Sequence, residues 1–497
     1  MRRREFVAAG VAALGGCVLP YRRAFGAETA TAVPILGSDG RQLTLSAGDV
    51  QDLRDGLRGE LITASSPGYD AARRLWIPTF DRHPALIVRC AGAGDVRRAV
   101  SFAAAHGLLT AVRGGGHSLS GQSGVDNGLV IDVSPMRLVE VDPVAKRARI
   151  AAGSLLGQLD MEAAEFGLAT TAGTVADTGV AGLTLGGGIG RLARKHGLSC
   201  DNVTALEIVT ADGRWQRASA TENQDLYWAL RGGGGNFGVV TSFEFQLHEL
   251  APVIYGGTIT YPFEDARGLL RAYMDICATA PDELDVDVDL QAAENGGREV
   301  EFSVCYSGPQ ADAERVVAPL RKLGKPTADK LGPASYLKLQ GSANMPGHSN
   351  SGLYVKGGLL SSLTPALIDS MVDYIDHNPS PSFDMGIEHM GGAINRVAPD
   401  ATAYFNRHAT HNLLCLGFWR IPADGPEAAE RNATWVRGAW KQLEPFTHGH
   451  YVNIMTSDAS ESRAHSAYGD NFPRLAALKK RHDPNNLFHL NANIKPA

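Results

Sequence analysis

The sequence predicts an α+β fold in two unlike parts, and three observations carry that expectation. Up to about residue 251, short apolar or alternating runs suited to strands are interleaved with amphipathic helical stretches. Glycine clusters at 114–116, 186–188 and 232–235 interrupt this first part. From 252 to about 445 those clusters thin out, and apolar strand runs alternate with helices, which predicts a second α+β unit.

Residues 1–30 stand apart from the fold. "MRRREFVAAGVAALGGCVLP" joins Arg2, Arg3 and Arg4 to an apolar run from Val7 to Leu19, too short to span a bilayer. The Arg3-Arg4-x-Phe6 order resembles a twin-arginine (Tat-type) signal, with a generic Sec signal as the alternative. Export would leave the protein secreted or periplasmic. "AFGA" at 24–27 offers small residues for cleavage, and "LGGC" at 14–17 resembles a lipobox that would anchor Cys17. The Tat export machinery is therefore an expected partner, and stable membrane insertion is not expected.

Next, "DVQDLRDGLRGELI" reads as an amphipathic helix, "HPALIVRC" (83–90) as a strand, and "GDVRRAVSFAAAHG" (94–107) as a helix closed by Gly107. "LLTAVRGGGH" is a strand running into a glycine loop. "LVEVDPVAKRARIAAG" and "ALEIVTADGRWQRAS" read as hairpins turning at Asp142-Pro143 and Asp212-Gly213. "SLLGQLDMEAAEFG" is a helix, followed by a small-residue stretch from Thr170 to Gly190. "VEFSVCYSG" and "NLLCLGFWRI" are strands of the second part, and "TPALIDSMVDYID" is one of its helices. The tail 446–497 is rich in aromatics and Asn, unlike a frayed end.

The chain has 497 residues, 44% of them hydrophobic, with a net charge of −6 and no dense basic block. That composition suits large apolar cores and argues against nucleic acid as a partner. The six cysteines are scattered without C-x-x-C spacing, and Cys90, Cys277, Cys305 and Cys415 are expected to pack as small hydrophobes. No HExxH or paired-ligand spacing occurs among the 15 histidines, so no metal site is expected. No motif fixes an oligomeric state.

The glycine clusters do not make a Rossmann loop. "GIGRLA" (188–193) fits G-x-G-x-x-A, but the residues before it are small and glycine-broken, a poor buried strand. "GGGNFG" (233–238) follows a helix and enters a strand, the reverse order. "RGGGHSLSG" lacks the Lys-Ser/Thr of a P-loop, and no G-x-S-x-G elbow occurs. Taken singly, His117, Cys200, Tyr451 and Asn453 also suit turn, core or cap positions.

Taken together, "RGGGHSLSG", "GLSCDNV", "DLYWALRGGGGNFGVV" and "YVNIM…SAYGDNFPRLAALKKRHDPNNLFHLN.NI" resemble the berberine-bridge-enzyme-like FAD-linked oxidases of the vanillyl-alcohol-oxidase/PCMH-type superfamily. The resemblance runs from about residue 60 to the C-terminus and is weakest across 252–445. It implies a PCMH-type FAD-binding domain of two α+β subdomains (60–251), an α+β substrate domain with an antiparallel sheet (252–445), and a C-terminal segment (446–497) that returns to complete the FAD site.

By that resemblance FAD is attached twice, through His117 to the flavin 8α carbon and through Cys200 to C6. An imidazole and a thiolate are the side-chain nucleophiles suited to such bonds. Arg113, Gly114, Gly115, Gly116 and Ser118 would accompany His117 in the first loop. Gly173, Thr174, Asp177, Gly179, Gly182, Gly187 and Gly190 would line phosphates and ribose. Gly238, Val239, Asn453, Asn491 and Asn493 would complete the pocket.

Tyr451 matches the Y-x-N tyrosine that acts as base. A phenol with a pKa near ~10 needs a nearby donor or positive charge for that task. Tyr404 and Glu388 match the segment facing the substrate. Val203 matches a position where Val accompanies reactivity with O2. The implied activity is hydride transfer from an alcohol or related group of a small molecule (sugar, oligosaccharide or secondary metabolite) to flavin N5, with O2 giving H2O2. A dehydrogenase using another acceptor and a non-catalytic binding protein are the alternatives. Two departures from the family pattern are Trp76-Ile77, where relatives carry Trp-Asn, and His196, where Tyr is usual.

Overall fold

The computed structural model describes residues 31–497 except 294–295, 343–349, 381 and 457–460. The expected signal, 1–30, lies outside the described residues. Among the described residues, no helix is long and apolar enough to cross a membrane.

Two main sheets precede residue 252, beside two two-stranded ones. Strands Glu60–Thr63, Leu86–Arg89, Leu129–Asp132 and Thr110–Arg113 form a four-stranded mixed sheet, in that order. Its last three strands are parallel, so the chain needs a crossover. The helix Ala93–His106 supplies one, ending where Gly107 takes a left-handed φ of 58° that a side chain would resist. Strands Trp215–Ser219, Val203–Val209, Val239–Gln246, Arg147–Ala151 and Val139–Asp142 form the second sheet, antiparallel throughout. Both expected hairpins are present in it. A small hairpin, Val33–Leu36 with Gln42–Leu45, precedes both sheets.

Beyond 252 an eight-stranded sheet runs Ala328–Asp329, Val253–Pro262, Arg298–Tyr306, Leu284–Ala292, Phe383–His389, His411–Arg420 and Ser351–Leu360, with Gly332–Ser335 also on Val253–Pro262. Every pairing is antiparallel. Helices Ala266–Thr279, Pro365–His377 and Ala428–Leu443 cover one face and share its core with Val286, Val288, Leu290, Met385 and Ile387. The helix Pro365–His377 starts where the Thr364 hydroxyl accepts from Leu367 N (3.2 Å) and Pro365 pre-sets the first turn. Such a cap contributes about 1 kcal/mol. Strand side chains alternate, so Asp285, Asp287 and Asp289 lie on the opposite face from Val286, Val288 and Leu290.

The tail packs back into the first core through Tyr468, Leu475, Leu478, Phe488 and Ile494. Lys479, fully buried, pairs with Asp483 (2.6 Å) and donates to Asn236 O (2.8 Å) and Phe488 O (2.9 Å). Asn236 in turn donates to Ala492 O (3.1 Å) and accepts from Ile494 N (3.0 Å). A buried ammonium with three acceptors is satisfied, and one without them would not be tolerated. This network ties the Asn-rich end of the chain to the third glycine cluster.

Candidate active site

A cavity of about 730 Å³ has two walls of different origin. One wall holds the loop Gly114, Gly115, Gly116, His117 and Ser118, then Gly173, Thr174, Gly179 and Gly182, then Gly238 and Val239, and the terminal Asn491 and Asn493. The other holds Leu353, Glu388, Leu416 and Phe418 from the large sheet. Tyr451, Asn453 and Ile189 also line it. The glycines permit close backbone approach: a Cβ on Gly115 would overlap the backbone of Gly179.

His117 is placed by two residues. The Trp76 ring stacks on it, centroids 3.9 Å apart. Asp177 Oδ1 lies 3.4 Å from His117 Nε2, while Trp76 Nε1 donates to Asp177 Oδ2 (3.0 Å). The imidazole and the indole donor hold the Asp177 carboxyl below its usual pKa. Trp76, noted in the sequence only for its altered neighbour, thus orients the histidine. Asn491 Oδ1 and Asn493 Oδ1 are buried without hydrogen-bond partners. Both residues line the cavity, so a large polar ligand there would answer a cost the protein otherwise bears.

The Tyr451 phenol oxygen accepts from Gly188 N (2.9 Å), Ile189 N (3.3 Å) and Asn453 Nδ2 (2.7 Å). A neutral phenol offers two lone pairs, so three converging donors suit a phenolate better. They supply the donors that the sequence left unidentified. Burial pushes the phenol above its ordinary pKa, and the three donors pull the other way without overcoming it. The turn that aims two of them depends on Gly187 and Gly188, at φ of 128° and 89°. Asn453, expected beside the flavin, also bonds Leu183 O (2.9 Å) and so locks the Y-x-N segment to this turn.

Several expected site residues lie off the cavity wall. Cys200 is fully buried in the 3-10 turn Ser199–Asn202, and its N–H donates to Gly187 O (2.8 Å). Burial and Asp201 push its thiol pKa up. Tyr404 packs behind Gly187, edge-on to Tyr451 at 6.3 Å, with its hydroxyl buried and unpartnered. Val203 is buried at the start of its strand. Gly190 packs against Ala172 O, and Gly187 forms the turn described above. Arg113 donates to Ala72 O, anchoring the loop, not facing the cavity. His196, the second departure, stacks on His248 at 3.9 Å.

Two features had no sequence motif to announce them. Arg407, 1% exposed, makes a two-pronged pair with Asp201 (both 2.6 Å) and donates to Thr402 Oγ1 (2.7 Å). It fastens the Cys200 turn to the segment carrying Tyr404. The second is the acidic face of the large sheet. Burial and mutual repulsion raise the pKa values of Asp285 and Asp289, and burial raises that of Asp287. Glu388, accepting from Asn412 Nδ2 (2.6 Å), is pushed up to about 7 by burial and the nearby Asp287. Arg191, from "GIGRLA", reaches Ser303 Oγ (3.0 Å) and partly offsets that charge. The period-two aspartates of "LDVDVDL" were the available signal.

Comparison with known proteins bears on the glycine-loop wall and on the tail. Residues 84–219 match the FAD binding domain family, and residues 450–495 match the family described as berberine and berberine like. The (R)-6-hydroxynicotine oxidase of Paenarthrobacter nicotinovorans is 33% identical over 448 residues, covering 88% of this chain and 97% of that protein. The chitooligosaccharide oxidase of Gibberella zeae is 29% identical over 443 residues, covering 83% and 87%. The crystal structure of 6-hydroxy-D-nicotine oxidase from Arthrobacter nicotinovorans matches with a TM-score of 0.81 at 31% identity, covering 89% of this chain and 98% of that one. The glycine loops and unpartnered polar atoms of the cavity fit FAD, and the chain belongs to the berberine-bridge-enzyme-like family of FAD-linked oxidoreductases.

Proposed function

We propose that this enzyme carries FAD attached at both His117 and Cys200 and oxidises a hydroxyl or related group of a small molecule. FAD, when bound, would supply the two-electron acceptor, and O2 would take up the electron pair with two protons to give H2O2. Tyr451, held as phenolate by donation from Gly188 N, Ile189 N and Asn453 Nδ2, takes the substrate hydroxyl proton as the carbon–oxygen bond gains double-bond character. The observation that carries this reading is the presence of His117 and Tyr451 on one cavity, the latter under three donors. His117 is within reach of a ligand there. Cys200 sits behind the Gly187 turn, so its attachment requires that turn to let the sulfur forward.

The named relatives act on a hydroxynicotine and on oligosaccharides. The wall of Leu353, Leu416 and Phe418 favours a substrate with an apolar face, such as a secondary metabolite or its glycoside, over a bare oligosaccharide. We also propose twin-arginine export, on the strength of Arg3, Arg4 and Phe6.

Acid precipitation of the wild type, His117→Ala, Cys200→Ala and the double variant tests the attachment. Yellow protein that loses all flavin only in the double variant supports it, and flavin released from the wild type overturns it. A dehydrogenase is the second reading, because Val203 lies off the cavity wall where it would act on O2. Stopped-flow mixing of the reduced enzyme with air decides between them: fast reoxidation with H2O2 means oxidase.

A further inference from the structure

A group of side chains outside the FAD cavity has the composition of a metal site. Cys277 comes from the helix Ala266–Thr279, His389 ends the strand Phe383–His389, and His411 begins the strand His411–Arg420. One ligand atom from each lies within 4.8 Å of the other two, the one such group among the described residues. The two histidines face each other across the strand pair, rings stacked at 5.4 Å and 17°. The three residues are far apart in sequence, so no spacing motif exposes them.

The hydrogen bonds point the same way. His389 Nδ1 and His411 Nε2 are buried and have no partner. His411 Nδ1 lies 3.0 Å from Thr410 Oγ1, and that hydroxyl donates to Leu360 O (3.4 Å). The hydroxyl therefore accepts the Nδ1–H, and Nε2 keeps a bare lone pair. A metal-binding imidazole is held in this way, with one nitrogen fixed by a neighbour and the other free for the ion. Both rings are about 95% buried, so leaving those nitrogens unpaired is costly.

We propose that Cys277, His389 and His411 bind a borderline-soft divalent transition metal of the zinc class. Soft sulfur with two imidazoles is a donor set such ions prefer over calcium or magnesium. Zinc bonds sulfur at about 2.3 Å and nitrogen at about 2.0–2.1 Å, which sets its ligand atoms roughly 3.5 Å apart. The observed cluster closes to that geometry with about an ångström of side-chain movement. Cys277 is half-buried, which leaves a path for the ion and for a water in the fourth position.

The position gives the site a purpose. Residues adjacent to the two histidines are Glu388 and Asn412, a bonded pair whose carboxyl faces the cavity. A metal on the opposite face of the sheet would fix the helix to the two strands that present this pair. It would be a positioning element, with no part in the redox chemistry.

The test uses the full-length holoenzyme, loaded with zinc, passed through gel filtration and analysed by plasma mass spectrometry alongside Cys277→Ala, His389→Gln and His411→Asn. One equivalent of zinc per chain in the wild type, falling at least tenfold in the variants with flavin absorbance unchanged, is the expected result. A chelator should lower the wild-type Tm and leave that of Cys277→Ala unmoved. If a histidine variant does not fold, Cys277→Ala, altered at a half-buried position, carries the comparison alone. Zinc retained equally by Cys277→Ala, or none retained by the wild type, overturns the proposal. Flavin content is read in the same samples, so failure here leaves the FAD reading untouched.

Discussion

The two walls of the cavity are built by different means. The FAD-side wall is contiguous sequence: a glycine loop with His117, a small-residue stretch with Gly173 to Gly182, and a tail carrying Tyr451, Asn453, Asn491 and Asn493. Backbone does most of the work there, and Gly115 and Gly179 are fixed by their close approach to each other. The sheet-side wall takes single side chains, Leu353, Glu388, Leu416 and Phe418, from three strands. A wall made of backbone holds one cofactor and tolerates little change. A wall made of alternating side chains can be altered one at a time, which suits it to setting substrate choice.

The sharpest way to break this contrast is Gly115→Val. Its side chain would collide with Gly179 backbone, so the two loops must part. Purified protein should be insoluble or free of flavin, measured by absorbance of the folded fraction. Stoichiometric flavin in this variant would show that the loops do not need their contact. Tyr451→Phe comes next. Turnover should fall by roughly 10²–10⁴, the span expected for a lost general base, with flavin content unchanged. Full turnover would remove the tyrosine from the chemistry.

Arg407→Met probes the joint behind the flavin wall. It leaves Asp201 as a buried unpaired carboxylate and should cost about 3–5 kcal/mol in stability by denaturant titration. Asp201→Asn with Arg407→Met should recover part of that loss, because the stranded charge is gone. A single variant as stable as the wild type would mean that water reaches the pair.

These residues also show what the sequence could and could not disclose. His117, the glycine clusters and Tyr451 with Asn453 were legible because each sits in an unbroken motif whose backbone geometry demands those residue types. The helix Ala93–His106 and both hairpins followed from period and turn chemistry, and the antiparallel sheet beyond 252 from the family resemblance. Arg407 gave no sign, since its partner Asp201 lies across the fold. Trp76 and Asp177 become a pair only when their loops meet around His117. Tyr404, Val203 and Cys200 were expected in the pocket and lie off the cavity wall, because a motif shows which residues travel together but not which of them faces inward. Cys277 was expected to pack as a hydrophobe, and only the fold brings it to two histidines.

Asp160 tests how the two parts are joined. Its buried carboxyl accepts from Gln340 Nε2 (3.2 Å), and the same nitrogen donates to Gly173 O (3.0 Å). Burial pushes the carboxyl up to about 7, from an ordinary value near ~4. The folded protein therefore binds this proton more tightly than the unfolded chain does. The resulting stability is fully present below about pH 4 and is lost as pH rises toward 7, up to about 4 kcal/mol. Asp160→Asn should flatten that part of the Tm profile between pH 5 and 8, and parallel profiles would show that Asp160 ionises freely in the folded state.

The smallest expected effect separates the walls most cleanly. Phe418 lies beside Leu416 on the cavity and opposite Leu353 in the strand pairing. Phe418→Ala removes a ring from the sheet-side wall and touches none of the glycine loops. On the true substrate KM should rise about tenfold, or ~1.4 kcal/mol, with kcat changed little, because uniform binding is lost and the Tyr451 donors are intact. Flavin content and the rate of reoxidation in air should match the wild type. If Phe418→Ala instead releases flavin, the sheet-side wall helps hold the cofactor, and the division of labour between backbone wall and side-chain wall is wrong.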